Sequence, residues 1–550
     1  MHRATHGSPC TMLCTMLCTM LRTTHCVHGK DDARHYIFSR YMQPTDMRLL
    51  RFGAPKQLRA AAGRSHPSGL EFFRKAQSFM SFDNVLPKLR RFLLSRRFFA
   101  ILILLGTFVF VSGALMQGIP PSEIYDAPRV APTQVAGVAV FVLLISFILV
   151  VSDDITAVFC PFLILCVFAC DCYNSFSVFS RMWWLGIPAV AALVFHFVHY
   201  RMPLVVGRTF PGIVAVGASI LLGGVGTITL REYFAPTALY YTMALSVGMA
   251  AVYLLVRPQL ERPAEFDRAE KHAEIMYAMG VFVCLEAVFN ILIRIEPIIR
   301  TGRIPEIQQH NNFATFLLFA LPFPFYFARR NRRHLFVAAL MLVCLFASDS
   351  RGAVITTAVV LPFLIAYLVV TSRKKWGKRL TVITVAVFAV IGICGVCAMI
   401  CFFKRIGAGF ISPDEPRYRL LVRAFEAFRK NPVFGTGLGD TGNVDIYNPK
   451  AGAFYWYHSL PLQIIGSLGI VGVAAYVYQA LARMVAVTRR LDPATAALGI
   501  SYLGMLIMSC FNPGEFVPFP YEMMVVVTFA LVEHVSSDKR SEYITDNRKN

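Results

Sequence analysis

Four groups of polar residues stand out in an otherwise apolar chain, and their types define the chemistry open to them. His458 lies in "FYWYHSLPLQIIGSLGIVG" (454–472), after four aromatics suited to a membrane–water interface. Imidazole exchanges protons near neutrality, so His458 is a candidate general base. A histidine behind Trp and Tyr can equally be only an amphipathic residue at a membrane edge. Arg351 lies in "FASDSRGAVITT", a very tight connection that also holds Asp349. A guanidinium stays charged and there needs an anion, whether Asp349, a lipid phosphate or a substrate pyrophosphate. In "PDEPRYRLLVRAFEAFRKNPVFGTGLGD", Arg417, Arg419 and Arg423 interleave with Leu420, Phe425 and Phe428 in a helical pattern. That pattern predicts an amphipathic helix along the membrane surface with its arginines free to reach a phosphate. The following "GTGLG" lacks the lysine and strand–turn–helix context of a nucleotide loop, and its glycines suit a tight turn that lets backbone approach a ligand. Finally, "QQHNNFATFLLFALP" opens an apolar helix with Gln309, His310, Asn311 and Asn312. Amides there can bind sugar hydroxyls or cap the helix.

The elements that must position these residues are membrane helices. Of the 550 residues 56% are hydrophobic and only 16% charged, with a mean hydropathy of +0.56, beyond what a water-soluble domain carries. About 14 apolar runs approach the roughly 20 residues needed to cross a bilayer, and backbone satisfaction makes them helices. They fall at 98–116, 133–151, 155–170, 182–198, 209–229, 238–256, 273–293, 310–327, 335–349, 352–371, 380–402, 459–483, 496–511 and 516–534.

A net charge of +22 raises nucleic acid as a partner, but the distribution of the basic residues removes it. Lys and Arg gather in alternate connections such as "KLRRFLLSRR", "RRNRRH", "SRKKWGKR" and "RMVAVTRR", the positive-inside pattern of a polytopic protein among membrane lipids. This predicts a multi-pass plasma (inner) membrane protein with both termini cytoplasmic and a long extracytoplasmic loop at 403–458. Two connections fit poorly: the acidic "SDD" at 152–154, expected inside, and the arginine-bearing "RIEPIIRTGRIPE", expected outside. Residues 1–80, with the repeat "CTMLCTMLCTML", read as a disordered or mis-annotated extension, since Met80 would open an ordinary amino terminus. Cys10, Cys14, Cys18, Cys26, His25 and His28 lack paired metal-ligand spacing. The expected organisation is thus the extension, transmembrane helices 1–11 over 98–402, the loop, helices 12–14 over 459–535, and a cytoplasmic tail at 536–550.

The order of these elements resembles the O-antigen ligase and polymerase family. The tight "SRG" turn at 350–352, the Arg-led helix ending in "NPVFGTGLGD", and "YHSLPLQIIGSLGIVG" follow its pattern, and "HNNFATFLLFALP" is similar to another of its helices. The detailed resemblance covers roughly 305–480. Two departures are visible: Ser459 follows the histidine where Asn is usual, and Ser467 stands where Glu is common.

The resemblance implies an all-α, GT-C-like polytopic fold of about 12–14 transmembrane helices, with one large extracytoplasmic loop containing an amphipathic helix. It implies a metal-independent glycosyltransferase, cofactor-free, moving a glycan from a polyprenyl (undecaprenyl) pyrophosphate carrier to a lipid or glycan acceptor at the outer face. His458 would be the catalytic base, and Arg351 with Arg419 or Arg417 would hold the pyrophosphate. Asn311 and Asn312 remain candidates for glycan contacts. A transporter or flippase of a lipid-linked glycan is the alternative, although no internal repeat of the kind such proteins carry is visible. Peptidoglycan polymerases of the shape, elongation, division and sporulation group use a loop carboxylate instead. Asp414, Glu415 or Asp440 could serve, but the surrounding sequence does not resemble that group.

Overall fold

Long apolar runs have one way to satisfy their backbone inside hydrocarbon, and the chain takes it. The computed structural model describes residues 82–112, 132–171, 178–179, 181–200, 204–229, 236–262, 264–293, 295, 310–348, 350–405, 416–438, 456–489, 491–512, 514 and 519–546. These are 86% helical with no strand among them. Asp349, Gln309, Asp414, Glu415, Asp440, the amino-terminal cysteines and histidines, and most of the 403–458 loop lie outside the described residues. The chain divides after Leu89 into two units, and the packing below belongs to Arg90–Asn550.

In chain order the helices are α1 (Phe82–Leu93), α2 (Arg96–Gly106), α3 (Pro132–Val151), α4 (Thr156–Asp171), α5 (Gly186–Tyr200), α6 (Phe210–Thr229), α7 (Pro236–Met243), α8 (Met249–Leu260) and α9 (Arg268–Ile293). There follow α10 (His310–Ala320), α11 (Pro322–Ala328), α12 (His334–Ala347), α13 (Arg351–Trp376), α14 (Lys378–Arg405), α15 (Pro416–Lys430), α16 (Leu460–Thr488), α17 (Pro493–Ser509) and α18 (Phe519–Asp546). Seven helices among the described residues are long and apolar enough to cross a membrane, or eight if the bent pair Leu86–Leu93 and Arg96–Val111 is one span. Four shorter apolar helices, at Thr156–Cys170, Phe210–Gly223, His334–Ala347 and Pro493–Ser509, accompany them. The 14 apolar runs therefore do not map one to one onto long straight helices. The protein is an all-α polytopic membrane protein.

Local signals set the helix starts. Ser95 caps α2 by accepting from the Phe98 amide, and Asp492 caps α17 by accepting from Thr495, with Pro493 at the first helical position. Between helices, polar atoms find backbone partners across the packing: Ser501 donates to the Phe319 carbonyl and Tyr521 to that of Asn312. The acidic "SDD" is explained by its neighbours. Asp154 pairs with the buried Arg268 at 3.0 Å, and Asp153 pairs with Arg90 at 3.1 Å and Arg262 at 4.0 Å. Three arginines, Arg90 before α2 and Arg262 and Arg268 from the α8–α9 connection, neutralise it, so its sign does not separate it from that basic face.

Candidate active site

Helix α15 is amphipathic, but its buried stripe packs on protein. Leu420, Ala424 and Ala427 are buried, and Leu420 and Ala424 pack with Tyr457 just ahead of α16. Arg417 and Arg419 are exposed and Arg423 is half-buried. Phe425, one of the apolar positions in the sequence pattern, is 45% exposed.

The segment after α15 threads into a break in α16. Gly469 has φ 61° and ψ −156°, values no helix contains, and the break frees backbone groups on both sides. The Gly466 and Ser467 carbonyls accept from the amides of Thr436 and Gly437 at 3.1 and 2.9 Å. The amides of Ile470 and Val471 donate to the Pro432 and Val433 carbonyls at 2.9 and 3.1 Å. Every group so exchanged would otherwise cost several kcal/mol in an apolar setting. Gly435, at φ 71°, lies against the Ser467 backbone so closely that an added Cβ would sit 2.2 Å from its carbonyl carbon. Gly435 and Gly437 of "GTGLG" thus bring backbone to backbone, whereas the sequence suggested approach to a ligand. Ser467 is fully buried and accepts from the Gln463 amide at 2.8 Å.

This clamp fixes the stretch that holds His458. Trp456 meets Tyr241 edge-on with ring centroids 5.0 Å apart. The Tyr457 ring lies against Gly466, and its amide donates to the Gln463 side chain at 3.0 Å. Held on one side by Tyr457 and on the other by the start of α16, His458 adopts φ 52°, the single positive φ outside glycine among the described residues. Such a conformation costs about 1–3 kcal/mol and persists only where the surroundings impose it. Burial lowers the His458 pKa to about 4, and the Arg417 charge pushes the same way. A hydrogen bond with Asn512 opposes both by favouring the protonated ring, as an accepting amide oxygen does.

Arg351, partly exposed, opens α13. Its neighbour Gly352 packs against Phe511, the residue before Asn512, so the α13 start and the His458 hydrogen-bond partner share one end of the helices. Ser350 donates to the Asn311 side-chain oxygen at 2.7 Å, which brings the start of α10 to the same place. Asn312 turns elsewhere and donates to the Cys170 carbonyl of α4 at 2.7 Å. Of the residues singled out in the sequence, Arg417 bears on His458 through its charge, while Arg351 is linked to the His458 partner Asn512 through Gly352 and Phe511, and Asn311 to the α13 start through Ser350. Arg419 is exposed on the same helix as Arg417, and Asn312 serves packing between helices. Asn512 and Gln463 were missed. For Asn512 the available signal was an Asn-Pro pair directly after an apolar helix; for Gln463 it was a lone amide in an apolar run.

Removing Arg417 is expected to raise the His458 pKa from about 4 toward its ordinary 6.5. The linkage sign follows from a depressed base. Stability is constant above about pH 6.5 and falls as pH drops toward 4, because the unfolded chain takes a proton that the native site refuses. Arg417→Gln should therefore narrow the acid-labile window, measured as the pH dependence of thermal unfolding, and an unchanged profile would place Arg417 away from the ring.

Fold and site together define an integral-membrane protein with a histidine–arginine–amide cluster at one end of its helices. Residues 336–477 match the O-antigen ligase family model (Wzy_C), which supports assigning the chain to the O-antigen ligase family. The matched segment runs from α12 through the broken half of α16 and so includes Arg351, Arg417 and His458. Comparison with curated proteins found no match.

Proposed function

We propose that this O-antigen ligase-like membrane enzyme moves a glycan from a polyprenyl pyrophosphate carrier to a hydroxyl of a lipid or glycan acceptor, with His458 as general base and Arg351 and Arg417 as the pyrophosphate clamp. The observation that carries this reading is the His458 environment: a strained, half-buried imidazole hydrogen-bonded to Asn512 and under the charge of the exposed Arg417. An Asn512 oxygen that accepts from one ring N–H selects the tautomer whose second nitrogen carries the basic lone pair. In the reaction the acceptor oxygen attacks the anomeric carbon and the bond from that carbon to the phosphate oxygen breaks. The electron pair leaves with the pyrophosphate carrier, and the acceptor proton passes to His458. Attack opposite the leaving group inverts the anomeric centre. Two guanidiniums neutralise the charge that develops on the leaving phosphate.

A pKa of about 4 keeps the ring neutral at physiological pH but makes it a weak base. A bound pyrophosphate offsets the Arg417 charge and so raises ring basicity when the donor arrives. The acid limb of kcat, which reports the donor complex, should accordingly lie at higher pH than that of kcat/KM, which reports the free enzyme. The test uses membranes supplied with a polyprenyl pyrophosphate-linked glycan, without nucleotide or divalent metal, and follows release of the pyrophosphate carrier. Translocation of the intact donor with no release would favour the flippase alternative and end this proposal.

A further inference from the structure

Beyond the glycan-transfer site, and independent of it, a second recess lies where α2, α9, α11 and α12 meet. It has a volume of about 230 Å³, well above the ~150 Å³ that accommodates a benzene ring. Its inner wall is apolar, formed by Phe99, Ala100, Ile103 and Val281, and its rim is polar, with Arg96, Tyr277 and His334. Arg96 donates to Glu274 at 2.6 Å, Lys271 to the Leu94 carbonyl at 2.9 Å, and His334 meets the Tyr277 hydroxyl at 3.2 Å. Lys271 also pairs with Glu274, and Arg330 pairs with Glu270. The exposed Arg97, Arg332 and Arg333 adjoin the rim residues Arg96 and His334 in sequence. The rim and its neighbours thus carry six cations (Arg96, Arg97, Lys271, Arg330, Arg332, Arg333) against three carboxylates (Asp267, Glu270, Glu274).

The two sites occupy opposite ends of α12. His334 begins that helix, and Ser350, hydrogen-bonded to Asn311, follows its end; 14 residues span about 21 Å. A cationic rim over an apolar recess at the end of membrane helices matches one ligand chemistry, an acyl chain carrying a phosphate. We infer that this recess binds an anionic phospholipid, one acyl chain lying along Ala100, Ile103 and Val281 and the phosphate meeting Arg96 and its basic neighbours. A zwitterionic lipid fills the recess but returns a cation to a rim already cationic, and inorganic phosphate meets the rim but leaves the recess empty.

The experiment is native mass spectrometry of the purified full-length protein in detergent, with phosphatidylglycerol, phosphatidylcholine and inorganic phosphate as separate probes. Phosphatidylglycerol should be retained about tenfold more than phosphatidylcholine, a difference of about 1.4 kcal/mol, and phosphate alone should not be retained. Ala100→Phe adds a ring at an exposed position lining the recess and should abolish retention of phosphatidylglycerol. Arg96→Gln should remove the preference over phosphatidylcholine. Because Arg96 also pairs with Glu274, the exposed double variant Arg332→Gln/Arg333→Gln provides a charge change that spares that pair, and it should lower retention severalfold. Equal retention of the two lipids, capture of phosphate alone, or full retention by Ala100→Phe would each overturn the assignment.

Discussion

Replacing His458 by alanine is expected to cut glycan transfer by about 10²–10⁴-fold, the usual contribution of a positioned base, while donor binding survives. The two effects separate because proton removal matters in the transition state and the pyrophosphate is present in both states. Arg351→Ala should instead weaken donor binding as well as rate, and Arg351→Lys should recover only part, since an ammonium lacks the bidentate fork. His458→Gln is the sharper probe. It keeps much of the bulk and a hydrogen bond toward Asn512 but offers no useful base, so it should be nearly as inactive as alanine. Carrier release by the glutamine variant at near wild-type rate would reduce His458 to orienting the acceptor. The backbone adds a control: His458 holds φ 52°, and His458→Asn, a residue tolerant of that conformation, should fold at least as well as the glutamine variant without regaining activity.

The membrane class was legible in the sequence because long apolar runs allow one backbone solution. A histidine able to exchange a proton and arginines able to meet an anion were visible too, since residue type alone carries that much. What could not be read was which surfaces meet. The pattern in α15 marked Phe425 and Phe428 as apolar alongside Leu420, but the packed stripe is Leu420, Ala424 and Ala427, because small residues admit the close approach of α16 and Tyr457. Helix breaks were equally hidden. Gly469 lies in an unbroken apolar run, and its non-helical backbone is stable only because residues 432–437, over 30 positions earlier, supply the missing hydrogen bonds. Asn512 belongs to the site through a contact with His458 across two helices and a turn, a pairing that no local spacing encodes. The choice between Arg417 and Arg419 has the same character: two residues apart, they differ in whether their charge bears on His458.

That clamp makes the second large effect a test of the fold beneath the site. Gly435→Ala is expected to destabilise the protein severely, on the order of 4 kcal/mol or more, the range reserved for a few specific disruptions. Two costs add. A left-handed conformation burdens an L-residue by roughly 1–2 kcal/mol, and the new Cβ would lie 2.2 Å from the Ser467 carbonyl carbon and 2.3 Å from the Leu468 nitrogen. Those are backbone atoms at the break in α16, so they cannot rotate away as a side-chain end does. Gly377, between α13 and α14, separates the two costs. Its φ is 76°, close to the 71° of Gly435, yet nothing lies within 4 Å of where its Cβ would stand. Gly377→Ala should therefore incur only the conformational cost, partly offset by a less flexible unfolded chain, and shift thermal unfolding in detergent by about 2 °C or less. Gly435→Ala should lose most of its folded, monodisperse protein. Any fraction that survives should be inactive, because pushing residues 432–437 off α16 frees Gly466, against which Tyr457 rests one residue before His458. Equal stability of the two variants would mean that the 432–437 segment does not fill the break in α16, and the position assigned to His458 would fall with it.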